Sequence, residues 1–260
     1  MILVDAALRR RAEEGRPVRL AIVGAGTMGT KVTRQVTTAT PGMEVVAVSN
    51  RHPERAEAAF RAVGHEDLAA VGSVAELERA IAQGRPAVTD DPALLCEAEG
   101  VDVVMEATGT IEFGAGVVCA AIAHGKHVVT SNAELQGTLG PILKARADAA
   151  GVVLTDADGD QPGVIMNLYR FALGVGMRPV LLGNVKGLQD PYRTPETQAA
   201  FAADAGISPL MATSFADGTK ISCEMALVAN ATGFPVGRRG AHGPRWEGHV
   251  EEGVDRFPRD

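Results

Sequence analysis

The chain has 260 residues, 46% of them apolar but only 4% aromatic, and a formal net charge of −7. That length holds one large or two modest domains, whose cores must come mainly from Ala, Val, Leu and Ile. The acidic balance excludes general nucleic-acid binding, which needs a basic face to neutralise phosphates.

The amino terminus, MILVDAALRRRAEEG, has too short an apolar run, and acids too early, for a secretory signal. Arg9, Arg10 and Arg11 with Glu13 and Glu14 read as a solvated helix face. Then comes VRLAIVGAGTMG, Val18 to Gly29, a buried-type strand running into Gly24-x-Gly26-x-x-Gly29. In that pattern Gly24 permits a tight turn, Gly26 lets backbone approach a pyrophosphate, and Gly29 lets helix and strand pack closely. A helix starting near Thr27, with Met28, Val32 and Val36 recurring every four residues, would point its amino-terminal N–H groups at the phosphates. Gly24, Gly26, Thr27, Met28 and Gly29 are therefore the first cofactor-binding candidates.

The next strand, Glu44–Val48, ends without the Asp or Glu that would hold the ribose hydroxyls of NAD; Ser49, Asn50 and Arg51 follow. Arg51, with Asn50 and His52 beside it, would attract a 2′-phosphate through charge-assisted bonds. This favours NADP(H). In the alternative, Arg51 is a solvated residue before the helix opened by Pro53, and coenzyme preference is mixed.

Further strands read at Arg19–Val23, Ala87–Thr89, Asp102–Glu106, His127–Thr130 and Val152–Leu154. Helices read at Thr27–Thr38, Pro53–Val63, Val74–Ala82, Phe113–His124 and Leu139–Ala149. Gly64 is a plausible stop for the Pro53 helix, and Gly64 to Gly84 looks like an insertion carrying an extra helix. The alternation predicts an α/β fold, a Rossmann doubly wound parallel sheet over residues 1–155. After it, 156–260 is expected to form a smaller α+β substrate and catalytic region. That region opens on an acidic turn, continues with a helix at Val164–Leu173, and has a strand at Arg178–Lys186. Arg238 to Asp260 has no clear period and reads as a loop or an interrupted element.

In a doubly wound sheet, ligands bind beyond the carboxyl ends of the strands. VDVVMEATGT and GKHVVTSNAE are strands with such ends, so Thr108, Gly109, Ser131 and Asn132 would border the nicotinamide half of the cofactor. The plainer reading makes them turns without a ligand. Asp156, Asp158 and Asp160 alternate and could hold Mg or Mn, with Asp158 and Asp160 the metal candidates; the plainer reading is a helix cap through Asp160. Lys186 closes an apolar stretch in a glycine-flanked turn and could reach an anionic substrate group with help from Arg193, or could be a solvated strand end. Lys220 and Glu224 stand four apart on one helix, which by itself fits an exposed ion pair. Cys96, Cys119 and Cys223 lack metal spacing and suit reduced thiols, and no segment approaches a membrane span. A cytoplasmic location is the expectation.

The glycine elbow, VDVVMEATGT, GKHVVTSNAE and DGDQPG together resemble the homoserine dehydrogenase superfamily. GDQPGVIMNLYRF, GNVKGLQDPYR, TSFADGTK and ANATG are similar to its branch of deoxyxylulose-phosphate reductoisomerase-like enzymes, the SAF-domain oxidoreductases. The resemblance covers residues 2 to about 240. It implies that Lys220 falls near the lysine that serves as proton donor in homoserine dehydrogenases, with Glu224 holding it in place. It also implies reductoisomerisation of a deoxypentulose phosphate in isoprenoid biosynthesis, or redox chemistry on a related hydroxy compound. Two departures stand out. Ala133 occupies the place of a lysine that homoserine dehydrogenases carry after Thr-x-Asn, and members of the closer branch run longer, so either their last domain is absent or the chain is a fragment.

The function expected is therefore an NADP-dependent oxidoreductase acting on a small polar carbonyl or alcohol, with an anionic or polyhydroxylated substrate. No nucleic-acid or membrane partner is expected, and a homo-oligomer is left open. The alternative is a non-catalytic NADP-binding sensor or assembly subunit.

Overall fold

The computed structural model describes residues 4–187, 189–245 and 247–257. The chain divides into two compact units, one reaching Asp156 and one starting at Ala157.

The first unit opens with α1 (Val4–Glu13), an exposed helix, and then alternates strand and helix. Its elements are β1 (Val18–Val23), α2 (Thr27–Ala39), β2 (Met43–Ser49), α3 (Pro53–Arg61), β3 (Ala69–Ala70), α4 (Val74–Ala82), β4 (Ala87–Thr89), α5 (Pro92–Glu97), β5 (Val103–Glu106), α6 (Ile111–Ala123), β6 (His127–Thr130), α7 (Ala133–Ala150) and β7 (Leu154–Asp156). The strands form one parallel sheet in the order β3-β4-β2-β1-β5-β6-β7. Chain order reverses between β1 and β5, which makes a switch-point crevice beside the carboxyl end of β1. This is the doubly wound α/β fold expected.

The strands are nearly continuous apolar runs because helices cover both faces. One cluster packs Val23, Ala47, Val104 and Val128 against Val118, Leu135 and Leu143. The other packs Ile22, Val45, Val48 and Met105 against Val36 and Phe60. The Gly64–Gly84 insertion adds more than a helix: β3 pairs with β4 and extends the sheet by one short edge strand.

Several boundaries differ from expectation, and two of them have a direct cause. Helix α7 begins at Ala133 because the Asn132 side chain accepts the Leu135 N–H at 3.1 Å and caps it. Strand β7 begins at Leu154 because the Val152 N–H still bonds the Ala147 carbonyl at the end of α7, 3.0 Å away.

The second unit holds α8 (Gln161–Gly174), α9 (Ala199–Ala205), α10 (Pro209–Ala216), α11 (Thr219–Thr232) and a 3-10 turn over Val250–Arg256. Helix α8 packs on α11, and α10 packs on both α9 and α11. The strand expected at Arg178–Lys186 is not formed, so the α+β character expected of this unit is corrected to helical among the described residues. Val, Leu and Asn there have strand-like spacing, but a strand needs a hydrogen-bonding neighbour, and the backbone of 178–187 has none within the described chain.

Candidate active site

The glycine elbow stands at the carboxyl end of β1. Gly24 has φ +109°, and a Cβ there would lie 2.7 Å from the Ala107 carbonyl oxygen. A Cβ on Gly29 would overlap the carbonyl of Gly24. Both glycines are thus demanded by the chain's own packing. Gly26 differs: its backbone is ordinary extended (φ −81°), and no described atom lies within 4 Å of where a Cβ would be. Among the described residues nothing requires glycine there, and the open space leaves room for a pyrophosphate laid against the elbow. Gly26 is also the N-cap of α2 and offers no side chain to its first-turn N–H groups, which suits an anion. Met28 is half exposed beside it. The elbow fits the phosphates of a dinucleotide.

Asn50 braces this elbow. Its Oδ1 accepts the Ala25 N–H at 3.1 Å, and its Nδ2 donates to the His52 carbonyl at 3.0 Å. Arg51 is exposed, and His52 lies 3.6 Å from Glu54. Across the switch point, the Thr108 N–H donates to Glu106 at 2.8 Å, and Asn132 Nδ2 donates to the Thr110 carbonyl at 3.0 Å. The Ser131 N–H donates to the Glu106 carbonyl at 2.9 Å. Thr108, Gly109, Ser131 and Asn132 therefore lie at two adjacent strand ends, β5 and β6. A depression lined by Gly109, Thr110, Ile111, Glu112, Phe113 and Glu134 opens over the same turn.

In the second unit one carboxylate gathers the other expected residues. Glu224, on α11, has no exposed side-chain surface. Lys186 Nζ lies 3.5 Å from its Oε2, and Lys220 Nζ, one turn earlier on α11, lies 3.8 Å from its Oε1. Asn184 Nδ2 donates to Oε2 at 3.4 Å. With its amide nitrogen turned inward, Gln161 donates to Oε1 at 3.2 Å and to Asp160 Oδ1 at 2.7 Å. Burial pushes the Glu224 carboxyl above the ordinary carboxylate range, while Lys186 and then Lys220 pull it back. Each lysine keeps about a sixth of its side chain exposed, 16% and 15%. Lys220 Nζ also stands 5.7 Å from the centre of the Phe215 ring. Asp160 adds a second negative charge near Glu224, so the two lysines face two carboxylates.

Residues 24–155 match the family model described as homoserine dehydrogenase, NAD binding domain. The chain belongs to that family. Residues 159–257 match a second model, described as oxidoreductase DRL, catalytic domain. The homoserine dehydrogenase of Corynebacterium glutamicum is 33% identical over 142 residues, 54% of this chain and 28% of that protein. The chain thus spans under a third of that relative's length. The chain is similar to a homoserine dehydrogenase structure from Thiobacillus denitrificans, with 25% identity, TM-score 0.45, and 61% of this chain and 34% of the other covered. It is also similar to myo-inositol dehydrogenase from Lactobacillus casei in complex with NAD(H) and myo-inositol, with 22% identity, TM-score 0.43, and coverage of 62% and 42%. The two family models place the chain in the superfamily that the sequence motifs resemble, and its nucleotide-binding domain accounts for the elbow.

Several expectations meet a different arrangement. The metal reading of the acidic turn finds no support: among the described residues no three His, Cys, Asp or Glu side chains gather as metal ligands. The three aspartates are spent elsewhere. Asp156 accepts the Thr130 hydroxyl at 2.7 Å from the end of β7, Asp158 accepts the Asn167 amide at 3.1 Å, and Asp160 receives Gln161. Arg193 does not join Lys186; it turns to Asp190 at 3.3 Å and Gln198 at 3.2 Å. Conversely, sequence reasoning missed Gln161 and Asn184 beside Glu224, and Glu106 beneath the Thr108 turn. Asn184 was within reach of reasoning, since it stands two residues before Lys186 and shares its face in extended chain. No helix among the described residues is long and apolar enough to cross a membrane.

Proposed function

We propose that the chain is an NADP-dependent oxidoreductase reducing a small polar carbonyl, or oxidising the corresponding alcohol, in an anionic or polyhydroxylated substrate. The observation that carries this reading is the Lys186–Glu224–Lys220 cluster, a buried carboxylate holding two lysines in the part of the chain matched to an oxidoreductase catalytic domain. A bound nicotinamide supplies or accepts the hydride. Gly24, Gly26 and Gly29 seat its phosphates at the amino end of α2, and Thr108, Gly109, Ser131 and Asn132 border its ring. Arg51, following a strand end without a carboxylate, attracts the 2′-phosphate.

Hydride arrival at a carbonyl carbon leaves negative charge on oxygen. The Lys220 ammonium both stabilises that charge and delivers a proton to it. Glu224 fixes the ammonium in place while Asn184 and Gln161 hold the carboxylate. Lys186 then binds a substrate phosphate or carboxylate through charge-assisted hydrogen bonds. A deoxypentulose phosphate meets these requirements, and reductoisomerisation is the specific activity proposed: an α-ketol shift breaks one carbon–carbon bond of the hydroxyketone and forms another, and the aldehyde so made takes the hydride and the proton.

The test follows NADPH absorbance with hydroxyketone phosphates, polyols and hydroxy amino acids. Turnover of an anionic hydroxyketone, lost by about 100-fold or more in Lys220→Ala with coenzyme affinity retained, is the expected result. Tight coenzyme binding with no turnover of any of these would leave a binding protein without catalysis.

A further inference from the structure

One buried group at the coenzyme end of the first unit has a place that the cofactor reading does not use. Glu106 closes β5 with its side chain wholly buried. A carboxylate taken from water is costly unless hydrogen bonds replace its hydration. Here Oε2 has no hydrogen-bond partner among the described residues, while Oε1 accepts both the N–H of Thr108, at 2.8 Å, and its hydroxyl.

The contacts continue outward from there. The Thr108 hydroxyl lies 3.1 Å from that of Thr110. The Thr110 carbonyl accepts Asn132 Nδ2 at 3.0 Å, and Asn132 in turn caps α7. The backbone carbonyl of Glu106 takes the Ser131 N–H. Residues from both strand ends that border the ring are thus tied into one chain of hydrogen bonds, whose buried end is the Glu106 carboxyl. Gly114 on α6 is shaped to it: a Cβ there would lie 3.0 Å from Glu106 Cδ and 3.1 Å from Oε1.

We propose that Glu106 is a positioning residue for the nicotinamide half of the coenzyme, holding the Ala107–Thr110 turn in the form that receives the ring. This rests on the coenzyme reading above. A turn of Ala, Thr and Gly has many conformations, and an acceptor aimed at both donors of Thr108 selects one of them. Ordering done in advance is not charged against binding, so its loss falls on the part of the ligand that touches the turn. The adenosine half is seated at the glycine elbow, which meets the turn at Ala107 and the Thr108 N–H, so it loses less than the nicotinamide half.

The experiment titrates the wild type, Glu106→Leu, Glu106→Gln and Gly114→Ala with NADPH and with 2′,5′-ADP, which lacks the nicotinamide half; NADH and ADP serve as the second pair. Glu106→Leu fills the volume without an acceptor, and Gly114→Ala presses on the carboxyl and also on Asn132 Nδ2, 3.2 Å from the added methyl. Both are expected to weaken the dinucleotide about tenfold, the worth of a hydrogen bond to a charged group, while changing the half-ligand less than about twofold. Glu106→Gln keeps an acceptor for Thr108 and restores most of the affinity. Amide exchange at Thr108 without ligand is expected to quicken about tenfold in Glu106→Leu, with β1 amides unchanged. Equal weakening of both ligands, no weakening of either, or a Gln variant as poor as Leu overturns the proposal. A wild type that binds neither coenzyme overturns the cofactor reading instead, and Thr108 exchange then still decides whether Glu106 holds the turn.

Discussion

Lys186 reaches to 3.5 Å from an oxygen of Glu224, a carboxylate with no exposed side-chain surface. A buried anion facing cations is stabilised by them, and removing one side leaves the other uncompensated. Glu224→Leu would set Lys186 and Lys220 against each other with no anion between. Breaking a wholly buried pair destabilises by about 3–5 kcal/mol; partly exposed lysines can swing to water, so about 1–3 kcal/mol is expected here. Denaturant midpoints of the two proteins measure it. An unchanged midpoint would mean that the carboxylate holds nothing in place.

The same carboxyl gives a pH dependence with a definite sign. Its folded value is raised, by burial first and against the opposing lysines. The native chain then keeps a proton that the unfolded chain releases, so the stabilising contribution is full below the ordinary carboxyl range. It is lost as pH rises through the raised value. Wild type minus Glu224→Gln stability is therefore expected to decline from acidic pH toward neutral. Thermal or urea unfolding across that range checks it, and a difference that grows with pH would reverse the assignment.

Arg51 follows β2, whose end carries Ser49 and Asn50 and no carboxylate. If its guanidinium holds a 2′-phosphate, Arg51→Ala should weaken NADPH about tenfold or more, the range for hydrogen bonds to a charged group. NADH should change by less than about twofold. Fluorescence titration of both coenzymes separates the two effects, and equal loss for both would remove Arg51 from phosphate recognition.

The sheet was legible because its strands are buried on both sides. Runs such as LAIV and VVAV carry their own boundaries, and β4 and β6 match expectation residue for residue. Short elements were not. β3 is two residues long, and α5 and α10 announce themselves only through Asp91-Pro92 and Ser208-Pro209, where the Asp91 and Ser208 side chains cap the following turn. Arg178–Lys186 shows the limit of pattern: strand composition is a preference for a pleated neighbour, and no neighbour pairs with it in the described chain. At the site, the Lys220–Glu224 spacing put both groups on one face of α11. That Lys186 and Asn184 approach the same carboxylate is a tertiary fact without local spacing behind it.

Two glycines of one elbow should separate folding from binding. Gly29→Ala would drive a methyl into the Gly24 carbonyl, backbone against backbone, and is expected to destabilise by about 1–3 kcal/mol. Gly26→Ala meets no described atom within 4 Å and needs no unusual φ, so stability should change by less than about 1 kcal/mol, the scale of an N-cap substitution. The methyl would stand where backbone and pyrophosphate meet, and coenzyme affinity should fall about tenfold or more. Melting curves and coenzyme titration on both variants decide the matter. A Gly26→Ala protein that melts and binds like the wild type would place the phosphates somewhere other than this elbow.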